Sequence, residues 1–280
     1  MSISEVMDPI DTGTDELLAT LDEGVALVTL NRPESRNALS DTLSPALRRL
    51  FARLAEWEEA RCVVITGKGT AFCAGGDVKG MGGRQTPRKD RPTTRDGMIA
   101  DLTERQQALT GALYALPQPT IAALPGPAAG AGFSIALACD LRIATHSAFL
   151  TTGFARVGLS GDYGASFFLP RLVGPAKAHE LFFTGERIDS ETALSLGLLN
   201  RVVEEDQLME TTLEWARRLA AGPTVAYRLM KANLRRGQTE DLPTCLAHEA
   251  EGIVDSAQTE DHREAVRAFV EKRAPDFRGR

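Results

Sequence analysis

The chain has 280 residues, of which 43% are hydrophobic and 25% charged, an ordinary globular composition. Its length suits one large domain, or one domain with a small appendage, with a full core of its own. Lys and Arg number 32 against 38 Asp and Glu, and a net charge of −6 argues against a sequence-independent nucleic-acid binder, which needs a basic face.

Residues 1–15 are acidic and polar, and they are expected to form a flexible tail without the basic start and apolar run of a signal peptide. Residues 17–21 and 25–30 are short β-rich runs separated by Asp22-Glu23-Gly24, which predicts a hairpin. Ser40 can cap a helix whose apolar positions Leu43, Leu47, Leu50, Leu54 and Trp57 share one face. Residues 62–66 (CVVIT) form a continuous apolar run, as expected of a strand covered on both faces. Residues 82–97, rich in charge, Gly, Pro and Thr, are expected to be a mobile loop lining the site. A helix is predicted from about 98 to 116, then strands at 120–124 and 141–145 flanking a small-residue helix at 131–138. Beyond Pro175 helical patterns dominate, with brief extended pieces near Arg187 and at 201–203. The organisation read from this is α/β: a tail at 1–15, a β/α core at 16–205 and a helical C-terminal region at 206–280.

The four cysteines, Cys62, Cys73, Cys139 and Cys245, form no CxxC pair and have no histidine at ligand spacing. Reduced thiols in a cytoplasmic protein are expected, with no metal site. No apolar stretch is long enough to span a bilayer, so no membrane partner is expected. The four histidines match no triad with a serine nucleophile elbow and are expected to be structural or surface residues.

Two Gly/Ala-rich turns, at 71–78 (AFCAGGDV) and 125–132 (PGPAAGAG), each follow a buried strand. Tiny side chains let a ligand approach the backbone. A helix N-terminus adds unpaired N–H groups and partial positive charge. Two such turns converging on one point would make an oxyanion hole.

These turns, with Asn31-Arg32-Pro33, Asn37-Ala38-Leu39, residues 126–140 (GPAAGAGFSIALACD), 158–174 and 268–273 (AFVEKR), resemble the crotonase (enoyl-CoA hydratase/isomerase) superfamily in order from about 18 to 277. The resemblance implies a crotonase-like (ClpP/crotonase) spiral of repeated ββα units and a helical C-terminal region that builds a homotrimer or a hexamer, a dimer of trimers. It implies an acyl-coenzyme A thioester as substrate, coenzyme A being part of that substrate rather than a permanently bound cofactor. The backbone donors of the oxyanion hole map onto Ala74 and Ala131. Coenzyme A contacts map onto Arg36, Ala38, Gly75, Gly76, Asp77, Val78 and Gly130, with Phe269 and Lys272 reaching the nucleotide of a neighbouring subunit. Asp77 also reads as a first-turn helix carboxylate, the favoured reading, and Phe269 equally as plain core.

The departures are informative. The two glutamates that hold and activate water in the family's hydratases fall on Ser134 and Phe154, and neither is an acid. Asp162 matches a position where some members carry an active-site aspartate, and it reads either as the acid–base group or as an N-cap of the helix after Gly164. Ser134 is a polar pocket residue or a small packing residue, and Cys73 a buried small hydrophobe. Double-bond isomerisation or related lyase chemistry is therefore expected. The alternatives are an enoyl-CoA hydratase of fatty-acid β-oxidation and a catalytically silent CoA-binding protein.

Overall fold

The computed structural model describes residues 8–76 and 92–280. Strands β2 (Leu17–Asp22) and β3 (Val25–Leu30) form the predicted hairpin, paired antiparallel from Leu17↔Leu30 to Asp22↔Val25. Its two central residues, Glu23 and Gly24, both have positive φ (47° and 77°), the hand that matches strand twist in a two-residue turn. The expected tail is already ordered at residues 8–10. Residues Asp8–Pro9 (β1) pair antiparallel with Leu21 and Thr20, and the Ile10 N–H donates to the Ala19 carbonyl at 2.8 Å with its side chain buried.

From β3 the chain crosses through α1 (Leu43–Glu56) to β4 (Cys62–Gly67), parallel to β3. The Ser40 hydroxyl accepts from the Leu43 and Thr42 N–H groups, and Leu43, Leu47, Leu50 and Leu54 are all buried. Most of the predicted loop 82–97 lies outside the described residues. Its last three residues are already helical, because Thr94 caps α2 (Arg95–Gln106) by accepting from the Gly97 N–H. This helix continues through a π-helical turn, Gln107–Gly111, to Ala112–Ala115. Then come β5 (Thr120–Leu124), β6 (Ala128–Ala129), α3 (Ala131–Ala138), β7 (Leu141–Thr145), β8 (Phe149–Thr151), α4 (Ala165–Val173), α5 (Pro175–Thr184), β9 (Ile188–Asp189), α6 (Ser190–Ser195) and β10 (Arg201–Val203).

Among the described residues, one sheet has the order β1-β2-β3-β4-β5-β7-β10, parallel from β3 onward, and a small second sheet has the order β6-β8-β9. Parallel neighbours need long crossovers, and α1, α2 and α3 supply them. The central strands are buried on both faces, which is why β4 and β5 read as unbroken apolar runs. Val63 and Ile65 face the large core with α1. Cys62 and Val64 face the other way, onto Leu208, Leu213, Ala216 and Ala220 of α7 (Leu208–Ala220). The first helix of the C-terminal region thus forms the second cover of the sheet.

Helices α8 (Thr224–Arg236), α9 (Leu242–Ala257) and α10 (Glu260–Glu271) complete the chain. Lys231 ties α8 to the core through Asp140 (2.5 Å) and the Gln118 carbonyl (2.7 Å). Leu242, Leu246, Ile253 and Val254 of α9 and Val266, Phe269 and Val270 of α10 stay exposed. Among the described residues, no helix is long and apolar enough to cross a membrane.

Candidate active site

The first turn is held by a buried asparagine. Arg36 and Asn37 both take the left-handed conformation, with φ 50° and 56°. The Asn37 side chain donates to the Lys68 and Ala71 carbonyls (3.0 and 2.8 Å) and accepts from the Arg32 N–H (2.9 Å). This fastens residues 31–39 against 68–76. Between them, the Ala74 N–H donates to the Arg36 carbonyl at 2.9 Å. That N–H is spent within the fold, so Ala74 is not the oxyanion donor that the motif suggested. The Gly75 carbonyl accepts from the Leu39 N–H at 2.8 Å. In a trans peptide the carbonyl and the following N–H point in opposite directions, and no peptide here is cis. The Gly76 N–H therefore points away from Leu39, toward the side where Ala128 bridges Cys73. It has no acceptor among the described residues.

The second turn arrives on that side. Gly130 (φ 53°) caps α3, its carbonyl accepts from the Ser134 N–H at 3.0 Å, and the Ala131 N–H is left at the open end of the helix. Contact between the turns excludes side chains. A Cβ on Gly132 would lie 2.2 Å from the Cys73 carbonyl oxygen, and one on Gly75 (φ 93°) would lie 2.8 Å from that of Ala129 and 3.4 Å from the Ala131 nitrogen. Two N–H groups, of Gly76 and Ala131, thus face one gap from adjacent turns, the arrangement that stabilises an oxyanion.

Asp162 sits in a third turn, 158–164, where Gly161, Tyr163 and Gly164 all have positive φ. The capping alternative fails. Helix α4 begins after Gly164 without any side-chain cap, and Asp162 Oδ1 is buried with no hydrogen-bond partner. Burial alone pushes its carboxyl up to about 6. The Phe154 ring connects this turn to the second: a Cβ on Gly130 would lie 3.7 Å from it and one on Gly161 3.5 Å. Phe154 in turn stacks on Phe182 with centroids 6.1 Å apart.

The profile of the family described as enoyl-CoA hydratase/isomerase matches residues 20–280. The chain is 35% identical to the 1,2-epoxyphenylacetyl-CoA isomerase of Escherichia coli (strain K12), covering 94% of this chain and 98% of that one. It is likewise 35% identical to the short-chain-enoyl-CoA hydratase of Clostridium acetobutylicum, over 89% and 92% of the two chains. The crystal structure of an enoyl-CoA hydratase from Mycobacterium smegmatis superposes with a TM-score of 0.85 at 34% identity, over 94% of this chain and 99% of that one. This chain belongs to the enoyl-CoA hydratase/isomerase family. It has the family's α/β crotonase fold.

Ser134 and Phe154, the residues expected at the hydratase glutamate positions, are both buried, Ser134 fully. The Ser134 hydroxyl donates to the backbone carbonyl of Asp162 at 3.0 Å. Of the residues assigned to coenzyme A, Gly75, Gly76 and Gly130 line the junction of the turns, and Arg36 and Ala38 lie on the neighbouring segment. Asp77 and Val78 lie outside the described residues. Phe269 is 85% exposed, which excludes a core role within one copy, and Lys272 ends α10 in the left-handed conformation. Burial pushes the thiols of Cys62, Cys73 and Cys139 up to about 12, so they are inert small hydrophobes. Gln106, whose side chain accepts from the Tyr163 N–H at 2.7 Å, had no signal in the sequence beyond its place in a polar helix.

Proposed function

We propose that this chain is an acyl-CoA double-bond isomerase, or a lyase of related enolate chemistry, with Asp162 as its acid–base group. The observation that carries this is the Asp162 carboxyl: desolvated, without a partner on Oδ1, and one aromatic ring away from the paired N–H groups. The thioester carbonyl accepts from the Gly76 and Ala131 N–H groups, so negative charge on that oxygen is stabilised as the C2–H bond breaks. Asp162 takes the proton, the C2=C3 bond forms as C3=C4 becomes single, and the same carboxyl returns the proton to C4. Water addition needs a group to activate water as well as a route for the C2 proton, and Ser134 and Phe154 supply neither.

Coenzyme A is assigned to Arg36, Ala38, Gly75, Gly76, Asp77, Val78 and Gly130 of one copy and to Phe269 and Lys272 of another, in a homotrimer or hexamer. The exposed apolar residues of α9 and α10 support that assembly. The buried, unpaired thiols support a reducing, cytoplasmic setting.

Incubation with 3-hexenoyl-CoA, followed by the absorbance of the conjugated 2-enoyl thioester, and with crotonyl-CoA, followed by mass spectrometry of the hydrated product, tests the reading. Conversion of 3- to 2-hexenoyl-CoA with slow hydration of crotonyl-CoA is expected. Hydration with kcat/KM near 10⁸ M⁻¹s⁻¹, on the order of the diffusional ceiling, would overturn it.

A further inference from the structure

We propose that Ser134 and Gln106 are positioning residues that clamp the Asp162–Tyr163 peptide and so fix the carboxylate relative to the Ala131 donor. This rests on the role given to Asp162 above. A base whose Oδ1 has no hydrogen bond is not oriented through that oxygen, which leaves the backbone that carries it to set much of its orientation. That backbone is the least regular stretch near the site, with positive φ at Gly161, Tyr163 and Gly164 (105°, 50° and 86°). For a bulky residue such as Tyr163 the left-handed conformation is unfavourable and persists only when neighbours impose it.

The neighbours that impose it act on a single peptide unit. Its carbonyl, from Asp162, accepts from the Ser134 hydroxyl at 3.0 Å, and its N–H, from Tyr163, donates to Gln106 Oε1 at 2.7 Å. Ser134 comes from α3 and Gln106 from the end of α2, so the peptide is gripped at both poles by different helices. The serine does more than grip. Its hydroxyl also lies 3.3 Å from the Gly130 carbonyl, the other end of the peptide that presents the Ala131 N–H. One buried hydroxyl thus spans the oxyanion side and the proton side of the site. The second hydratase position contributes in the same sense, since Phe154 packs against Gly130 and Gly161. The ionisable groups around the clamped unit are Tyr163 itself, Arg48 of α1, Arg105 of α2 and Cys73 of the first turn. Proton transfer depends steeply on the distance and angle between base and carbon, so a base freed to wander loses rate rather than binding.

The test compares Ser134→Ala, Gln106→Met and Gln106→Glu with the wild type and Asp162→Asn. Rates are read from deuterium uptake at C2 of hexanoyl-CoA in D₂O and from isomerisation of 3-hexenoyl-CoA. The midpoint of Asp162 is read by NMR of ¹³C-labelled aspartate. Ser134→Ala and Gln106→Met should each lower kcat about 10-fold or more with KM within about twofold. The Asp162 midpoint should move toward that of an ordinary carboxyl as the turn opens to water. Gln106→Glu keeps the acceptor for the Tyr163 N–H and should recover most of the lost rate. The clamp is overturned if folded Ser134→Ala and Gln106→Met keep wild-type kcat and midpoint while Asp162→Asn is inactive, or if Gln106→Glu is as impaired as Gln106→Met. If Asp162→Asn itself exchanges as fast as the wild type, the role of Asp162 falls, and the clamp with it. The NMR midpoint reads the clamp whether or not these thioesters are turned over, and an unchanged midpoint in Gln106→Met would count against it.

Discussion

The two halves of the site are made of different material. The side proposed to hold the oxyanion consists of peptide N–H groups from two turns, held by backbone contacts so close that glycine is required at Gly75 and Gly132. The side proposed to move the proton is one carboxyl on an irregular turn, whose backbone is held by side chains from two helices. A backbone donor is indifferent to the side chain it bears, so Ala131 can stand where a glycine is usual and the N–H survives. A side-chain acid has no such tolerance, because replacing it removes the group that takes the proton. In the proposed reading, charge stabilisation and proton transfer thus rest on separate parts of the architecture.

The largest effect should come from the backbone half. Ala131→Pro removes the donor N–H at the first position of a helix, where proline is tolerated. Turnover is expected to fall by about 10²–10³-fold with the fold retained, read by steady-state kinetics beside circular dichroism. A variant with wild-type kcat would remove Ala131 from the hole. The side-chain half should follow, with Asp162→Asn lowering proton exchange by about 10²-fold or more. In the wild type, kcat/KM should rise as pH passes through about 6, because the base has to be ionised.

The same residue gives a stability signature that the backbone half lacks. Burial raises the Asp162 carboxyl from 3.8 to about 6 in the folded state. Below about pH 4 both folded and unfolded chains hold the proton. Between about 4 and 6 the unfolded chain releases it first, so the stability it contributes is lost as pH rises through 6. Asp162→Asn should therefore be more stable than wild type at pH 7 by on the order of 1–2 kcal/mol and indistinguishable at pH 4, by denaturant titration. Equal stability at both values would mean that the carboxyl is solvated. Asn37→Ala, which strands the Lys68 and Ala71 carbonyls, should cost roughly 2–4 kcal/mol. Catalysis in the surviving folded fraction should change least, because Asn37 props the first turn from behind.

This division also governs what could be read before any coordinates. Strands β4 and β5, the helix face of Leu43, Leu47, Leu50 and Leu54, and the two glycine turns follow from burial on both faces, from 3.6-residue periodicity and from the exclusion of Cβ atoms, all properties of local residue type. Which N–H of the first turn is free does not follow, because it depends on a peptide rotation at Gly75 and on the Arg36 carbonyl, 38 residues earlier in the chain. Asp162 as cap or base is equally undecidable from sequence, since α4 begins after Gly164 in either case and the difference is whether the carboxyl turns to its N–H groups or is buried without a partner. Residues 8–10 looked like tail because a two-residue edge strand carries no periodicity. Gln106 was invisible because its partner is a backbone N–H 57 residues away.

The π-helical turn at Gln107–Gly111 is where this has a consequence for engineering. Leu109 and Leu113 point into the core, while Gln106 reaches the Tyr163 N–H. An added residue within a helix shifts the angular phase of everything before it by about 100°. Removing one residue from 107–111 would restore a regular helix, keep Leu113 in the core, and swing Gln106 around the axis out of reach of the turn. Sequence length at this one place therefore acts as a phase dial for the helix, and a shortened variant would keep the fold while releasing the carboxylate.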